Sequence, residues 1–400
     1  QFPSAPAAGL SANHPIMQVA GGVLDRIDRG ELKDANSAIM AYKVGRVAQQ
    51  AAASAASDSL AGDCLDLLVE YGIAWLYGDT AKEQEIASEY SESACDPGWL
   101  TAAINWLAYY WSGQAPQYLP PSSGDPQPFA LPPPASADGL LRVGILGDWG
   151  TGEEEALAVL DQLMRQQPDL ILHVGDIYYS GTSAECVTNF LQPLDAARAT
   201  YHSSIPVYTL PGNHDYYSGG QGFYAMLPQL NQGLTHAATQ QHSFFCLRND
   251  SWQLQGMDTG YNDHDLLKVN DDITQLRDDE AGWHAQQLES AGGRKVILFS
   301  HHQLFSAFEA IGAVGSAGPQ YQNPFLLANL RAWQSSSRPN IVAWFWGHEH
   351  LLEIYGAPGP SVALPALGRC VGNSAFPVFD DAGDYTPKTT GVPLEPAPGC

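Results

Sequence analysis

The sequence predicts an α/β protein: a layered C-terminal portion preceded by an all-helical N-terminal region. Three observations point there. Residues 14–111 carry apolar side chains at helical spacing, residues 112–138 are Pro-rich and aperiodic, and from residue 139 short apolar runs alternate with helical segments. Such alternation places sheets in the core, and polar residues at the carboxyl ends of the strands then converge on one rim where ligands bind.

In the N-terminal region (1–111), Leu65, Leu68, Val69, Ile73 and Leu76 repeat at intervals of three and four, which reads as part of four or five short helices. Trp75, Trp99, Trp106 and Trp111 there read as packing surface. Residues 112–138 hold eight Pro and read as a linker, or as chain crossing a surface in extended form. The next portion, 139–356, opens with LLRVGILGD and a helix near 152–167, then DLILHVGD and a helix near 184–199, then IPVYTLPGNHD. HSFFCLR and WQLQGMD read as paired strands, followed by a helix near 279–291, KVILFSHH, a helix near 323–335 and IVAWFWGHEH. From 357 to 400 the chain is rich in Pro and Gly, and an edge strand followed by a surface tail is expected.

Composition narrows the function. The 400 residues include 18 Lys and Arg against 43 Asp and Glu, a formal charge of −25, with no basic cluster, so nucleic acid and membrane are not expected partners. No run approaches the roughly 18 to 20 apolar residues of a membrane span. The start at Gln1 without Met hints at a removed leader and a secreted or periplasmic location, with a cytoplasmic one as the alternative. Six Cys (Cys64, Cys95, Cys186, Cys246, Cys370, Cys400) are compatible with three disulfides or with buried free thiols.

Five predicted strands end in potential metal ligands: GDWG (147–150), GDIYY (175–179), GNHD (212–215), SHH (300–302) and GHEH (347–350), which hold five of the twelve His. Two cations held about 3.5 to 4 Å apart need a bridging carboxylate, hard oxygen and borderline nitrogen donors, and open positions for water and substrate. Asp, Asn, His and Tyr at five strand ends supply that set. No G-x-S-x-G elbow, P-loop or H-E-x-x-H competes with it.

The ordered series GDxG, GDxxY, GNH(D/E), xxH, GHxH resembles the calcineurin-like metallophosphoesterases over roughly residues 140–356, and among them the purple acid phosphatases. Most of the superfamily has Asp-x-His at the first motif, where this chain has Gly150; the purple acid phosphatase pattern offsets that loss with the Tyr closing GDxxY, here Tyr179. The resemblance implies a β-sandwich flanked by helices, four layers in the order αββα. It implies that Asp148, Tyr179 and His350 bind a first metal, that Asn213, His301 and His348 bind a second, and that Asp176 bridges them. It further implies that His214 protonates the leaving group with Asp215 orienting its ring, and that His302 lies in the outer sphere; the motif also admits an exchange of His301 and His302.

A tyrosinate is a hard anionic donor, so Fe(III) is expected at the first site and divalent Fe, Zn or Mn at the second. The expected activity is hydrolysis of small phosphate esters by attack of a metal-bound hydroxide, as a phosphomonoesterase. A phosphodiesterase with the same site is the alternative, and a non-catalytic metal-containing binding protein a more distant one. Aromatics in the loops, among them Tyr216, Tyr217, Tyr261 and Phe308, read either as loop packing or as a stacking surface for the ester's organic group.

Overall fold

The computed structural model describes residues 113–122, 127–234, 237–265, 273–308, 310–313, 318–356 and 367–375, with residues 102, 105, 106, 109 and 110, which are helical. The chain divides into two compact units, Gln1–Gln114 and Ala115–Cys400. The helices expected before residue 102, Cys64, Cys95, Cys400 and the tail beyond residue 375 lie outside the described residues.

The second unit holds two sheets. The smaller is wholly parallel, with strand order β2 (Val143–Leu146), β3 (Leu170–His173), β4 (Val207–Thr209). The larger is mixed and seven-stranded. It comprises β1 (Phe129–Ala130), β5 (Phe245–Arg248), β6 (Trp252–Met257), β7 (Lys295–Ser300), β8 (Asn340–Trp346), β9 (Leu352–Ile354) and β10 (Leu367–Val371), in the order β1-β5-β6-β7-β8-β10-β9. Its centre, β6-β7-β8, is parallel. Strands such as LILH of β3 are buried along their whole length, as parallel strands covered on both faces must be.

Helices pack on the outer faces. In α1 (Glu154–Arg165) the buried residues Ala156, Leu160 and Met164 recur every fourth position, while Glu154 and Glu155 in the first turn and Arg165 in the last oppose the helix dipole. A short helix α2 (Ser183–Glu185) runs through a wide turn, Cys186–Leu191, into α3 (Gln192–Tyr201). Two more, α4 (Asn213–Tyr217) and α5 (Gln221–Leu230), follow β4, and α6 (Asp278–Glu289) precedes β7. Before β8 comes α7 (Pro324–Ser336), where the Asn323 side chain accepts from the Phe325 and Leu326 amides and Pro324 stands at the first turn, where its missing N–H costs nothing.

Among the described residues, three buried clusters join these layers. Leu160, Met164, Ile171, Val207 and Phe190 join helices to the small sheet; Leu172, Tyr208, Leu210, Phe245, Leu254 and Phe299 lie between the two sheets; Leu288, Leu330 and Trp333 join α6 and α7 to Val296, Leu298, Ile341 and Trp344 of the large sheet. No described helix is long and apolar enough to cross a membrane.

Three details depart from what the patterns suggest. The Pro-rich segment contributes β1, which pairs parallel to β5 at a sheet edge, the one place where a Pro-flanked strand fits, and buries Phe129 and Leu131 in the inter-sheet cluster. The strand expected at the edge after residue 357 is β10, and it is not an edge: it lies between β8 and β9, with Gly368 and Cys370 buried in alternation. Cys186, Cys246 and Cys370 are buried free thiols, so the three-disulfide framework does not form.

Candidate metal centre

Every candidate donor follows the carboxyl end of a strand. Asp148, Asp176, Asn213 and His214 follow β2, β3 and β4 of the small sheet; His301 and His302 follow β7, and His348 and His350 follow β8 of the large one. The rims of the two sheets meet, and one donor atom from each of Asp148, Asp176 and His301 lies within 4.8 Å of the others, as do those of His301, His302 and His348. Asp148, Asp176 and His348 have φ of 56°, 70° and 68°, a left-handed backbone that costs a non-Gly residue on the order of 1 kcal/mol and gathers at functional sites.

The carboxylates are oriented by backbone. Asp148 Oδ2 accepts the His348 N–H at 2.9 Å, and Asp176 Oδ1 accepts the His214 N–H at 3.1 Å. Gly212 matters here because a Cβ on it would overlap Asp176 Oδ1 and crowd His301 Nε2. His301 donates its Nδ1–H to the Val174 carbonyl at 3.0 Å, which turns Nε2 inward, 3.1 Å from Asn213 Oδ1 and 3.3 Å from both Asp176 Oδ2 and His348 Nδ1. Asn213 in turn donates from Nδ2 to the Tyr217 hydroxyl at 2.7 Å, which fixes the amide so that its oxygen faces the cluster.

The electrostatics follow from burying anions beside histidines. Burial drives Asp148 well above the usual carboxylate range, against the pull of His301 and with the push of Asp176. Burial would raise Asp176 too, but His301 and His214 together hold it well below that range. For His301, burial alone would lower the pKa, yet Asp176 and Asp148 raise it to about 9. Proton and cation therefore compete for Nε2.

Two expected placements need correction. The phenol beside Asp148 and His350 is that of Tyr178, not Tyr179: Tyr178 Oη donates to Asp148 Oδ1 at 3.1 Å and lies 2.9 Å from His350 Nε2, itself 3.6 Å from Asp148 Oδ1. The chain has left the strand by this point, and Tyr178 stands in the turn that follows it. Ile177 bridges Gly150 and packs in the helix-side cluster, and the left-handed Asp176 before it and the turn at Tyr178 after it carry the carboxylate and the phenol. The Tyr179 backbone is bonded at both ends, its N–H to Glu185 Oε1 and its carbonyl to His214 Nδ1–H. Gly150 has no room for the side chain that other first motifs carry, since its Cβ would stand 2.8 Å from the Ile177 Cα.

Asp215 does not orient His214. Its Oδ2 accepts the Asp176 and Gly212 amides at 3.0 and 2.8 Å, while His214 Nδ1–H donates to the Tyr179 carbonyl at 2.7 Å and leaves Nε2 facing the cluster, 4.0 Å from Asp176 Oδ2. His302 is held at both ring nitrogens, Nδ1 3.0 Å from Thr259 Oγ1 and Nε2 2.9 Å from Asp263 Oδ2, and its ring packs 4.3 Å from that of His348. His301, not His302, reaches Asp176 and Asn213.

Sequence reasoning passed over a buried layer beneath these groups. Asp258 accepts the Tyr216 hydroxyl at 2.6 Å and the Tyr261 N–H at 3.0 Å, and its own N–H donates to Glu280 Oε1 at 2.8 Å. Burial first and Glu280 second raise the Asp258 pKa to about 7. Asp258, Thr259, Asp263 and Tyr217 stand in no motif, and only the fold brings them under the histidines.

The donor set suits hard and borderline cations: carboxylate, amide and phenol oxygens with imidazole nitrogens, buried and mutually close. A search of curated proteins finds no significant match. A solved structure described as PhoD aligns with 63% of this chain and 57% of its own, at 13% identity and a TM-score of 0.41, a superposition too loose to carry residue roles across. The family model described as calcineurin-like phosphoesterase matches residues 141–352, which is more than half of the chain and includes all five strand-end motifs, so the chain belongs to the calcineurin-like phosphoesterase family.

Proposed function

We propose that this metallophosphoesterase hydrolyses small phosphate esters, phosphomonoesters first, at a dinuclear centre of purple acid phosphatase type. The observation that carries the reading is the convergence of Asp148, Asp176 and His301 within 4.8 Å, from strand ends of two different sheets. Asp148, His350 and the Tyr178 phenol would hold one cation, Asn213, His301 and His348 the other, with Asp176 between. Burial, then Asp148 and Asp176, push the Tyr178 hydroxyl well above its usual pKa, so drawing off its proton calls for a strong Lewis acid; that favours Fe(III) at the first position and a divalent Fe, Zn or Mn at the second. When bound, the two ions supply Lewis acidity toward the phosphoryl oxygens and a water acidic enough to act as nucleophile.

The protein's own groups complete the site. His214 commits Nδ1 to the Tyr179 carbonyl, so proton exchange with substrate is confined to Nε2, and a proton held there is the one the leaving oxygen takes. Of the Arg–carboxylate ion pairs among the described residues, Arg142–Asp138, Arg165–Asp161, Arg198–Asp195 and Arg277–Asp279, none touches a donor. With a net charge of −25, attraction for phosphate is then short-range, which suits small soluble esters over nucleic acid or membrane.

The test is metal analysis of the purified full chain with release of nitrophenol from p-nitrophenyl phosphate and bis(p-nitrophenyl) phosphate. Two metal equivalents and faster monoester cleavage, abolished by chelator and restored by metal, are expected. Faster diester cleavage would select the diesterase alternative, and a metal-loaded protein that cleaves neither ester refutes the reading.

A further inference from the structure

His214 is anchored by one atom, the Tyr179 carbonyl, and what holds that carbonyl lies outside every motif. The carboxylate of Glu185, in α2, gathers the loop around itself. Its Oε1 accepts the Tyr179 N–H at 2.6 Å; its Oε2 accepts the Ser180 N–H at 3.3 Å, the Thr182 N–H at 2.8 Å and the Thr182 hydroxyl at 2.7 Å. Thr182 Oγ1 accepts the Glu185 N–H at 3.2 Å in return, closing a capping box at the start of α2.

The Ser180 N–H and the Tyr179 C=O belong to a single peptide group. That group is planar, and its N–H and C=O point in opposite directions. A carboxylate on the N–H side thus aims the carbonyl at His214 Nδ1, 2.7 Å away. The chain runs carboxylate, peptide, imidazole, and hydrogen bonds linked in this way polarise one another where solvent is partly excluded, as it is here. It leaves the imidazole with one tautomer, Nδ1–H, and with Nε2 directed at the cluster.

We propose that Glu185 is a positioning residue for His214, holding its ring and tautomer through the 179–180 peptide group so that Nε2 meets the leaving group. The proposal rests on the hydrolytic reading above, and it concerns a residue that touches neither metal donor nor substrate.

Two readouts on the full chain test it. Nitrogen NMR of the His214 ring should show the Nδ1–H tautomer in the parent protein and a tautomer mixture in Glu185→Ala. In turnover, kcat/KM of Glu185→Ala should fall on the order of tenfold more for phenyl phosphate than for 2,4-dinitrophenyl phosphate, because only a poor leaving group needs the proton. Glu185→Gln, which keeps size and one acceptor, should fall between, and it serves if the Ala variant fails to fold. Adding Glu185→Ala to His214→Ala should cost nothing further. Retention of the Nδ1–H tautomer, or a loss equal across leaving groups and additive with His214→Ala, overturns the proposal. A parent protein that cleaves no ester would refute the hydrolytic reading, while the NMR readout still decides on Glu185.

Discussion

Asp258 makes a stability prediction that can be worked from its surroundings. The carboxyl is fully buried, its pKa is raised from 3.8 to about 7 by burial and then by Glu280, and it lies beyond the cation donors. The unfolded chain ionises it near pH 4 and the folded chain near pH 7. Between those values the folded state binds the proton and the unfolded state does not, so stability falls as pH rises through that window and is lowest above it. A shift of about 3 units at about 1.36 kcal/mol each sets a ceiling of about 4 kcal/mol. Asp258→Asn removes the titration while keeping an oxygen for the Tyr261 N–H. Urea midpoints of both proteins between pH 4.5 and 8.5, in chelator so that cation binding does not enter, should diverge steadily, with the Asn variant gaining relative stability up to about pH 7 and holding it beyond. Curves that stay parallel across the range would refute the reasoning.

Other expected outcomes follow from the site. If iron occupies the first position, Tyr178→Phe should abolish a visible charge-transfer band that Tyr179→Phe retains, read by absorption spectroscopy of the loaded protein. Tyr217→Phe frees the Asn213 amide to turn and should weaken binding of the second cation by about tenfold, measured by competition with a chromophoric chelator. Asp263→Asn or Thr259→Val, which loosen His302 against His348, should weaken the same cation to a similar degree, with Thr259→Ser close to the parent. Gly212→Ala forces a methyl onto Asp176 and His301 and should reduce bound metal to at most one equivalent by elemental analysis.

The motifs were readable because donor chemistry at a strand end is local: a few apolar residues, a tight turn and a ligand sit together in the chain. GDWG, GNHD and GHEH needed no partner to be noticed, and the topology then brought them to one rim. Motif spacing counts residues and points to Tyr179, whereas the turn after the Ile177 bridge sets the Tyr178 phenol beside Asp148 and His350. Adjacency to His214 suggests contact for Asp215, while in α4 its side chain turns back to the amides of Gly212 and Asp176. The supports, Glu185, Tyr217, Thr259 and Asp263, are ordinary residues whose importance depends on distances between segments up to 43 positions apart, as for Thr259 and His302. Pattern along one segment does not encode that. For the same reason β1 was hidden in a Pro-rich stretch and β10 was expected one strand too far out.

The donors are divided between the sheets: Asp148, Asp176 and Asn213 on one, His301, His348 and His350 on the other. A cation held by both groups is therefore a clasp across the inter-sheet core of Leu172, Tyr208, Phe245 and Phe299. Any ligand that binds only the docked arrangement stabilises docking by mass action, about 4 kcal/mol at a thousandfold excess over its Kd. Amide exchange in β3 and β7 should then slow together when metal is added, so that ions bound here would also set how often the two sheets part.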